Sequence, residues 1–323
     1  MKLQLLLLCS FCKLIFCFGQ EDPLPSWNQG LAKQAIIQFI QDTATPGSCD
    51  YIVPEDRIAV FDQDGTLWVE QPIYTQFFFV MDTIKELASK HPEWSNKEPY
   101  QTILQGDLEK IKKFTVQEIE KVIAISHANI TVEAFRESVK LWLSKAIHPR
   151  FKKPYTELVY QPMVEVIQYF QAHGYRVYIV SGGGQEFIRV YSEKVYGVPL
   201  EQVIGSTEKV KYEYQNGKPV LNKLSEVFFI DDKSGKPEAI HFFIGKHPVA
   251  AFGNSDGDQQ MLEWSQAFKG KSLQLLVHHD DPIREYQYDA DSRIGTFSKA
   301  LMEEANEKGW VIVSIKNDWK RLF

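Results

Sequence analysis

Positive charge is in short supply in this chain, and so is cysteine. Lys and Arg number 36 against 42 Asp and Glu, giving a formal net charge of −6. That balance argues against nucleic acid or an anionic membrane surface as a partner, since both demand basic counter-charge. Of the 4 cysteines, Cys9, Cys12 and Cys17 share one apolar stretch at the N-terminus, leaving Cys49 alone downstream. A lone Cys cannot close an internal disulfide, so the core must hold the fold, and Cys49 is a free or intermolecularly paired thiol. Internal repeats and low-complexity tracts are also missing, which excludes solenoids and fibrous arrays. What remains, 44% hydrophobic and 24% charged over 323 residues, describes a globular chain able to bury a large core in one or two domains.

Met1-Lys2, the apolar segment Leu3 to Phe18, and the small residues Cys17 and Gly19 together read as a secretory signal over residues 1–19. About 16 apolar residues broken by Lys13 are short for a membrane span, which disfavours the rival reading of an uncleaved anchor. Removing Lys2 and Lys13 with the signal takes the charge to −8. The expectation is a secreted or periplasmic protein without stable membrane association after cleavage.

Ile58-Ala59-Val60-Phe61-Asp62-Gln63-Asp64-Gly65-Thr66-Leu67 organises the rest. A continuous apolar run that stops at two carboxylates and a Gly reads as a buried strand delivering charge to its C-terminal end. Asp62 and Asp64 lie two apart, on one face of an extended strand, with no Lys or Arg beside them to neutralise them. A cation, or a reaction that uses the charge, answers that placement; an ordinary Asp-Gly strand terminus is the bland alternative.

Ahead of this strand, Leu31, Ala35, Ile36, Phe39 and Ile40 have helical spacing. After it, strand signals vanish between Tyr74 and Arg150. Helical patterns run over Phe77–Leu87, Leu104–Phe114, Val116–Ala128 and Val132–Ile147, predicting an all-helical lobe. The basic linker His148 to Pro154 then returns the chain to alternating strands and helices.

Two more strand ends carry chemistry. Arg176–Val180 runs into Ser181-Gly182-Gly183-Gly184 and a helix predicted over Gln185–Tyr196, offering a hydroxyl and free N–H groups to an anion. Val249–Phe252 runs into Gly253-Asn254-Ser255-Asp256-Gly257-Asp258, a cluster of oxygen ligands. Between them, Ile204–Tyr214 and Pro219–Leu221 flank Asn216-Gly217 as a hairpin, Val227–Ile230 reads as another strand, and Lys236-Pro237 opens a helix. If the sheet is parallel, these ends converge at one edge as a phosphoryl-transfer site.

At this point the chain resembles the haloacid dehalogenase superfamily, in particular its phosphoserine phosphatase-like members. The motifs are Asp62-Gln63-Asp64-Gly65-Thr66, Ser181 after its strand, Lys236, and the acidic Gly253–Asp258. The resemblance implies an α/β fold: a Rossmann-like three-layer core with a parallel sheet, in residues 20–71 and 155–323, and an inserted helical cap over 72–154. It further implies Asp62 as nucleophile, Asp64 as general acid/base, Ser181, Gly182 and Lys236 on the phosphoryl oxygens, and Mg²⁺ held by Asp62, the Asp64 main-chain carbonyl, Asn254 and Asp258. Asn254 departs from the family's usual Asp, with Asp256 as an alternative ligand, and Lys233 competes with Lys236.

The expected activity is Mg²⁺-dependent hydrolysis of a small phosphomonoester. One rival makes Ser255 the nucleophile of an esterase elbow, since Gly253–Gly257 fits G-x-S-x-G, but the order of acid and His downstream does not suit that fold. Another is a catalytically silent secreted binding protein. Trp68, Glu70 and Gln71 lie close enough to Asp64 to touch substrate or simply to pack, and His278-His279-Asp280-Asp281 reads as a polar turn more than as a metal cluster.

Overall fold

The computed structural model describes residues 22–127 and 130–323; the signal over 1–19 and the end of the third predicted cap helix, Ala128, lie outside the described residues. Strand β1 (Ile58–Phe61) is buried along its whole length, and its residues divide between the two faces of the sheet. Ala59 and Phe61 join one apolar cluster with the flanking helices Leu31–Ala44 and Gln161–Ala172. Ile58 and Val60 join a second cluster with Gly235–Phe243, Gln259–Gln266 and Lys299–Lys308. A strand buried on both faces needs no polar alternation, which is why the sequence runs apolar without a break. The result is a three-layer α/β core.

The other strands are β2 (Arg176–Gly184), β3 (Val203–Gln215), β4 (Lys218–Phe229), β5 (Ala250–Gly253), β6 (Leu273–His278) and β7 (Val311–Ser314). They form one sheet in the order β4-β3-β2-β1-β5-β6-β7. All neighbours pair in parallel except β3 and β4. The chain therefore leaves β1 toward β2 on one side and toward β5 on the other, so β1 sits at the switch point where such sheets bind ligands.

Three expectations are corrected here, the first being that the helix expected over Leu104–Phe114 is broken at Gly106, at positive φ between Tyr100–Gln105 and Leu108–Ile111. Val227–Ile230 is not a separate strand: Val227 to Phe229 end the return arm β4, antiparallel to β3 and joined to it through Asn216 and Gly217, both at positive φ, and Ile230 follows it. Its apolar residues mislead because Val227, Phe228 and Ile230 are exposed on an edge rather than buried. The helix expected over Gln185–Tyr196 is two five-residue pieces, Gln185–Arg189 and Ser192–Tyr196.

Between β1 and β2 the chain is helical, with Thr75–Leu87, Tyr100–Gln105, Leu108–Ile111, Val116–His127 and Val132–Leu143. Phe77, Val80, Met81, Ile84, Trp94, Tyr100, Ile103 and Val122 form a third apolar cluster of their own. Phe135, Val139 and Leu143 of the last helix instead join the larger cluster of the sheet. Among the described residues no helix is long and apolar enough to cross a membrane.

Candidate active site

The sheet order sets Asp62 between its two partners. The C-terminal end of β1 is flanked by β2, ending in Ser181–Gly184, and by β5, ending at Gly253. Asp62 still donates its N–H to Phe252 O at 2.8 Å, so the strand pairing itself fixes its backbone. Gln63 turns the other way and gives its amide to Tyr196 Oη at 2.9 Å. Gly65, at φ +77°, turns the chain back, and its N–H reaches Trp68 O at 2.9 Å. A Cβ there would stand 2.1 Å from Asn254 Nδ2 and 2.2 Å from Glu70 Oε1, so both conformation and space demand glycine.

Lys236 is the cation of the site. It lies in the first turn of Gly235–Phe243, is buried, and places Nζ 2.6 Å from Asp62 Oδ1, 2.6 Å from Asp258 Oδ1 and 3.0 Å from Val180 O. Lys233, at positive φ in the turn before it, is exposed. Burial alone would lower the Lys236 pKa, but the Asp258 and Asp62 carboxylates reverse this and raise it. Burial and the facing Asp258 push Asp62 upward, against the pull of the ammonium. Asp64 is raised to about 6 by burial, opposed by the Trp68 indole N–H at 2.7 Å and by Lys236. A carboxyl poised there can both give and take a proton near neutral pH.

On the β2 side the pairing with β3 jumps between Ser181 and Gly184, so Gly182 and Gly183 bulge from the ladder. The buried Ser181 Oγ accepts the Gly183 N–H at 3.1 Å and keeps its own proton to donate. A Cβ on Gly183 would be 3.3 Å from Ser181 Oγ and 3.4 Å from Asp64 Oδ2, so hydroxyl and carboxyl face one small space. The helix-dipole part of the anion argument fails: the following helix has only five residues, and the Gly184 N–H is already bound to Gln76 Oε1 at 2.7 Å. Gln76 belongs to the first helix of the insert, which therefore reaches over this edge of the site.

The fourth motif divides its residues. Asn254 is buried beside the Asp62 loop, its Oδ1 accepting from Thr66 Oγ1 at 3.2 Å. Asp258 gives Oδ1 to Lys236 and Oδ2 to the N–H groups of Asn254 and Ser255, at 3.0 and 3.1 Å. With both oxygens so engaged, it orients the ammonium and the turn. Asp256 points elsewhere, accepting from the Ser298 N–H at 2.9 Å. Ser255 Oγ bonds within its own turn, to Asp258 Oδ2 at 3.3 Å and from the Gly257 N–H at 3.2 Å, and among the described residues no His bonds to it.

The donor set suits a hard cation. Asp62, Glu70 and Asp258 are buried and Asp64 half-buried in a region with a single buried ammonium, leaving negative charge in excess. Among the described residues no three His, Cys, Asp or Glu side chains form a chelating group by themselves. Mg²⁺ typically takes one or two carboxylates and completes its shell with carbonyl, water and substrate oxygens, so Asp62, Asn254 and the Asp64 carbonyl fit it.

Sequence reading missed the support behind this loop. His279 is buried, with Nε2 2.7 Å from Gly65 O and Nδ1 3.0 Å from Glu285 Oε2, and Tyr288 stacks on its ring at 4.3 Å. The polar-turn reading holds for Asp281, which accepts from the Ile283 and Arg284 N–H groups, whereas Asp280 reaches across to the Lys316 N–H and the Ser314 hydroxyl. His279 instead clamps the turn after Asp64 from 214 residues away in sequence. No local pattern signals such a contact.

Asp231, just beyond β4, is fully buried, and neither carboxylate oxygen completes a well-formed hydrogen bond. Burial raises its pKa to about 7, against Lys236 and the Ser181 N–H. A folded-state pKa above the unfolded one contributes stability that is present at low pH and lost as pH rises through about 7. Asp231→Asn should therefore gain on the wild type by on the order of 2 kcal/mol between pH 5 and pH 8, as read by urea unfolding at both pH values.

Residues 59–263 match the family of haloacid dehalogenase-like hydrolases. Among solved structures, a protein of unknown function from Anaerococcus prevotii is 15% identical, with a TM-score of 0.57, covering 94% of this chain and 98% of its own. A protein of unknown function from Bordetella pertussis is 14% identical, with a TM-score of 0.48 and coverage of 80% and 97%. A phosphoserine phosphohydrolase-like protein from Francisella tularensis is 17% identical, with a TM-score of 0.40 and coverage of 78% and 98%. The first of these likenesses speaks to the fold. No curated protein gives a significant match.

Proposed function

This chain belongs to the haloacid dehalogenase-like hydrolases, and from that premise we propose that it is a Mg²⁺-dependent phosphatase of small phosphomonoesters, working through an aspartyl-phosphate on Asp62. The observation that carries this reading is the shared ammonium of Lys236, which holds Asp62 2.6 Å away at a strand end where Asp64 and Ser181 face the same space.

Asp62 Oδ attacks phosphorus as the ester P–O bond breaks, and Asp64 passes its proton to the departing alkoxide. Asp64, now a carboxylate, takes a proton from water; that oxygen attacks the aspartyl-phosphate, freeing Asp62 and inorganic phosphate. Ser181 Oγ–H, the Gly182 N–H and Lys236 hold the phosphoryl oxygens. Asp62, the Asp64 carbonyl and Asn254 would hold Mg²⁺, which when bound screens carboxylate and phosphoryl charge from one another. The insert, through Gln76, limits the space above the site and favours small esters. The apolar N-terminal stretch supports an action outside the cytoplasm, as a secreted or periplasmic enzyme.

The test is a phosphomonoester panel with Mg²⁺. Release of phosphate that stops with chelator and returns with added Mg²⁺ is expected; release indifferent to chelation would remove the metal from the proposal, and none from any ester would remove the activity.

A further inference from the structure

Position 254 carries a neutral amide, and behind it the structure places a carboxylate. Glu70 is buried, and its Oε1 accepts the Asn254 Nδ2–H at 2.6 Å and the Tyr288 hydroxyl at 2.7 Å. Since Thr66 donates to Asn254 Oδ1, the amide is held at both ends and its orientation is fixed. Two glycines at positive φ make the room: a Cβ on Gly65 would lie 2.2 Å from Glu70 Oε1, and one on Gly295 would lie 1.9 Å from it. No Lys or Arg side chain bonds to Glu70 among the described residues. The charged side chains near it are Asp64 and Asp62. With no cation of the protein bonded to Glu70, a metal ion held beside Asp62 is what would balance a charge in this pocket.

Resting on the reading that Mg²⁺ sits beside Asp62, we propose that Glu70 is a positioning residue: through Asn254 it supplies the negative charge that a carboxylate at 254 would bring, and it leaves the amide oxygen as the end offered to the metal. Carboxylates that accept from a ligating group raise that group's donor strength and set its orientation. Glu70 and Asn254 thus divide between two residues what one Asp could do, and a carboxylate at both positions would put like charges 2.6 Å apart.

The experiment measures Mg²⁺ affinity of substrate-free protein by titration calorimetry, with Mg²⁺-dependent melting shifts alongside, for wild type, E70Q, N254D and E70Q/N254D. E70Q should weaken Mg²⁺ binding by about 10- to 100-fold. N254D should improve affinity at least about tenfold in the E70Q background and fail to improve it in the wild type, the signature of two coupled sites. Wild-type affinity in E70Q, or equal improvement by N254D in both backgrounds, overturns the inference. If E70Q alone fails to fold, N254D against the double variant still decides: tighter binding by the double supports the proposal, and tighter binding by N254D overturns it. A wild-type protein that takes up no Mg²⁺ overturns the metal reading of the site, and the inference with it.

Discussion

Asp62→Asn should reduce phosphate release by at least about 10³-fold while leaving the fold intact, because it removes the attacking oxygen and little else. Asn has the shape of Asp and still offers an oxygen to the Lys236 ammonium now 2.6 Å away. It also removes one charge from a buried group in which carboxylates outnumber the cation, so the melting temperature should hold or rise. Initial rates on an aryl phosphate, with a melt of the same sample, separate chemistry from folding. Equal, negligible release from both proteins would favour the silent binding protein, and activity retained in Asp62→Asn but lost in Ser255→Ala would favour the esterase.

Lys236→Met is expected to damage both stability and activity. The ammonium lies between Asp62 and Asp258, also takes the Val180 carbonyl, and is buried with them. Without it two buried carboxylates face each other uncompensated, a loss of about 3–5 kcal/mol in comparable cases. For a chain of this size that corresponds to a melting temperature lower by about 5–8 °C. The sign with pH follows from the direction of the Asp62 shift. Its pKa is already raised in the folded protein and rises further without the ammonium, so stability is retained in acid and lost as pH rises. The deficit of Lys236→Met should therefore shrink at pH 5 and widen at pH 8 in urea unfolding. A deficit independent of pH would mean that the methylene stem, not the charge, is what Lys236 contributes.

The expectations that held were those with local causes. A strand buried on both faces must be apolar throughout, and polar residues collect where it ends; that made β1, β2 and β5 and their terminal motifs readable. Asn216-Gly217 marked its hairpin because both residues tolerate positive φ. The Val227–Ile230 run misled for an equally local reason: apolar composition does not distinguish a buried strand from an exposed edge. Choosing Lys236 over Lys233 needed only the position of the helix start, whereas the bonds of Asp258, drawn into the Lys236 turn, did not follow from its place in the motif.

The sequence by itself determined the chemistry available: carboxylates, a hydroxyl in a glycine turn, a lysine at a helix start, and an α/β chain with a helical insert to carry them. Only the tertiary structure decided their company. The order β2-β1-β5 sets Asp62 between Ser181 and Asn254, and His279, Glu285, Tyr288 and Glu70 close around the Asp62 loop. Strand ends are written by local burial and turn chemistry, which the sequence carries residue by residue. Contacts such as His279 to Gly65 span 214 positions and arise only when the sheet brings distant strand ends to one edge.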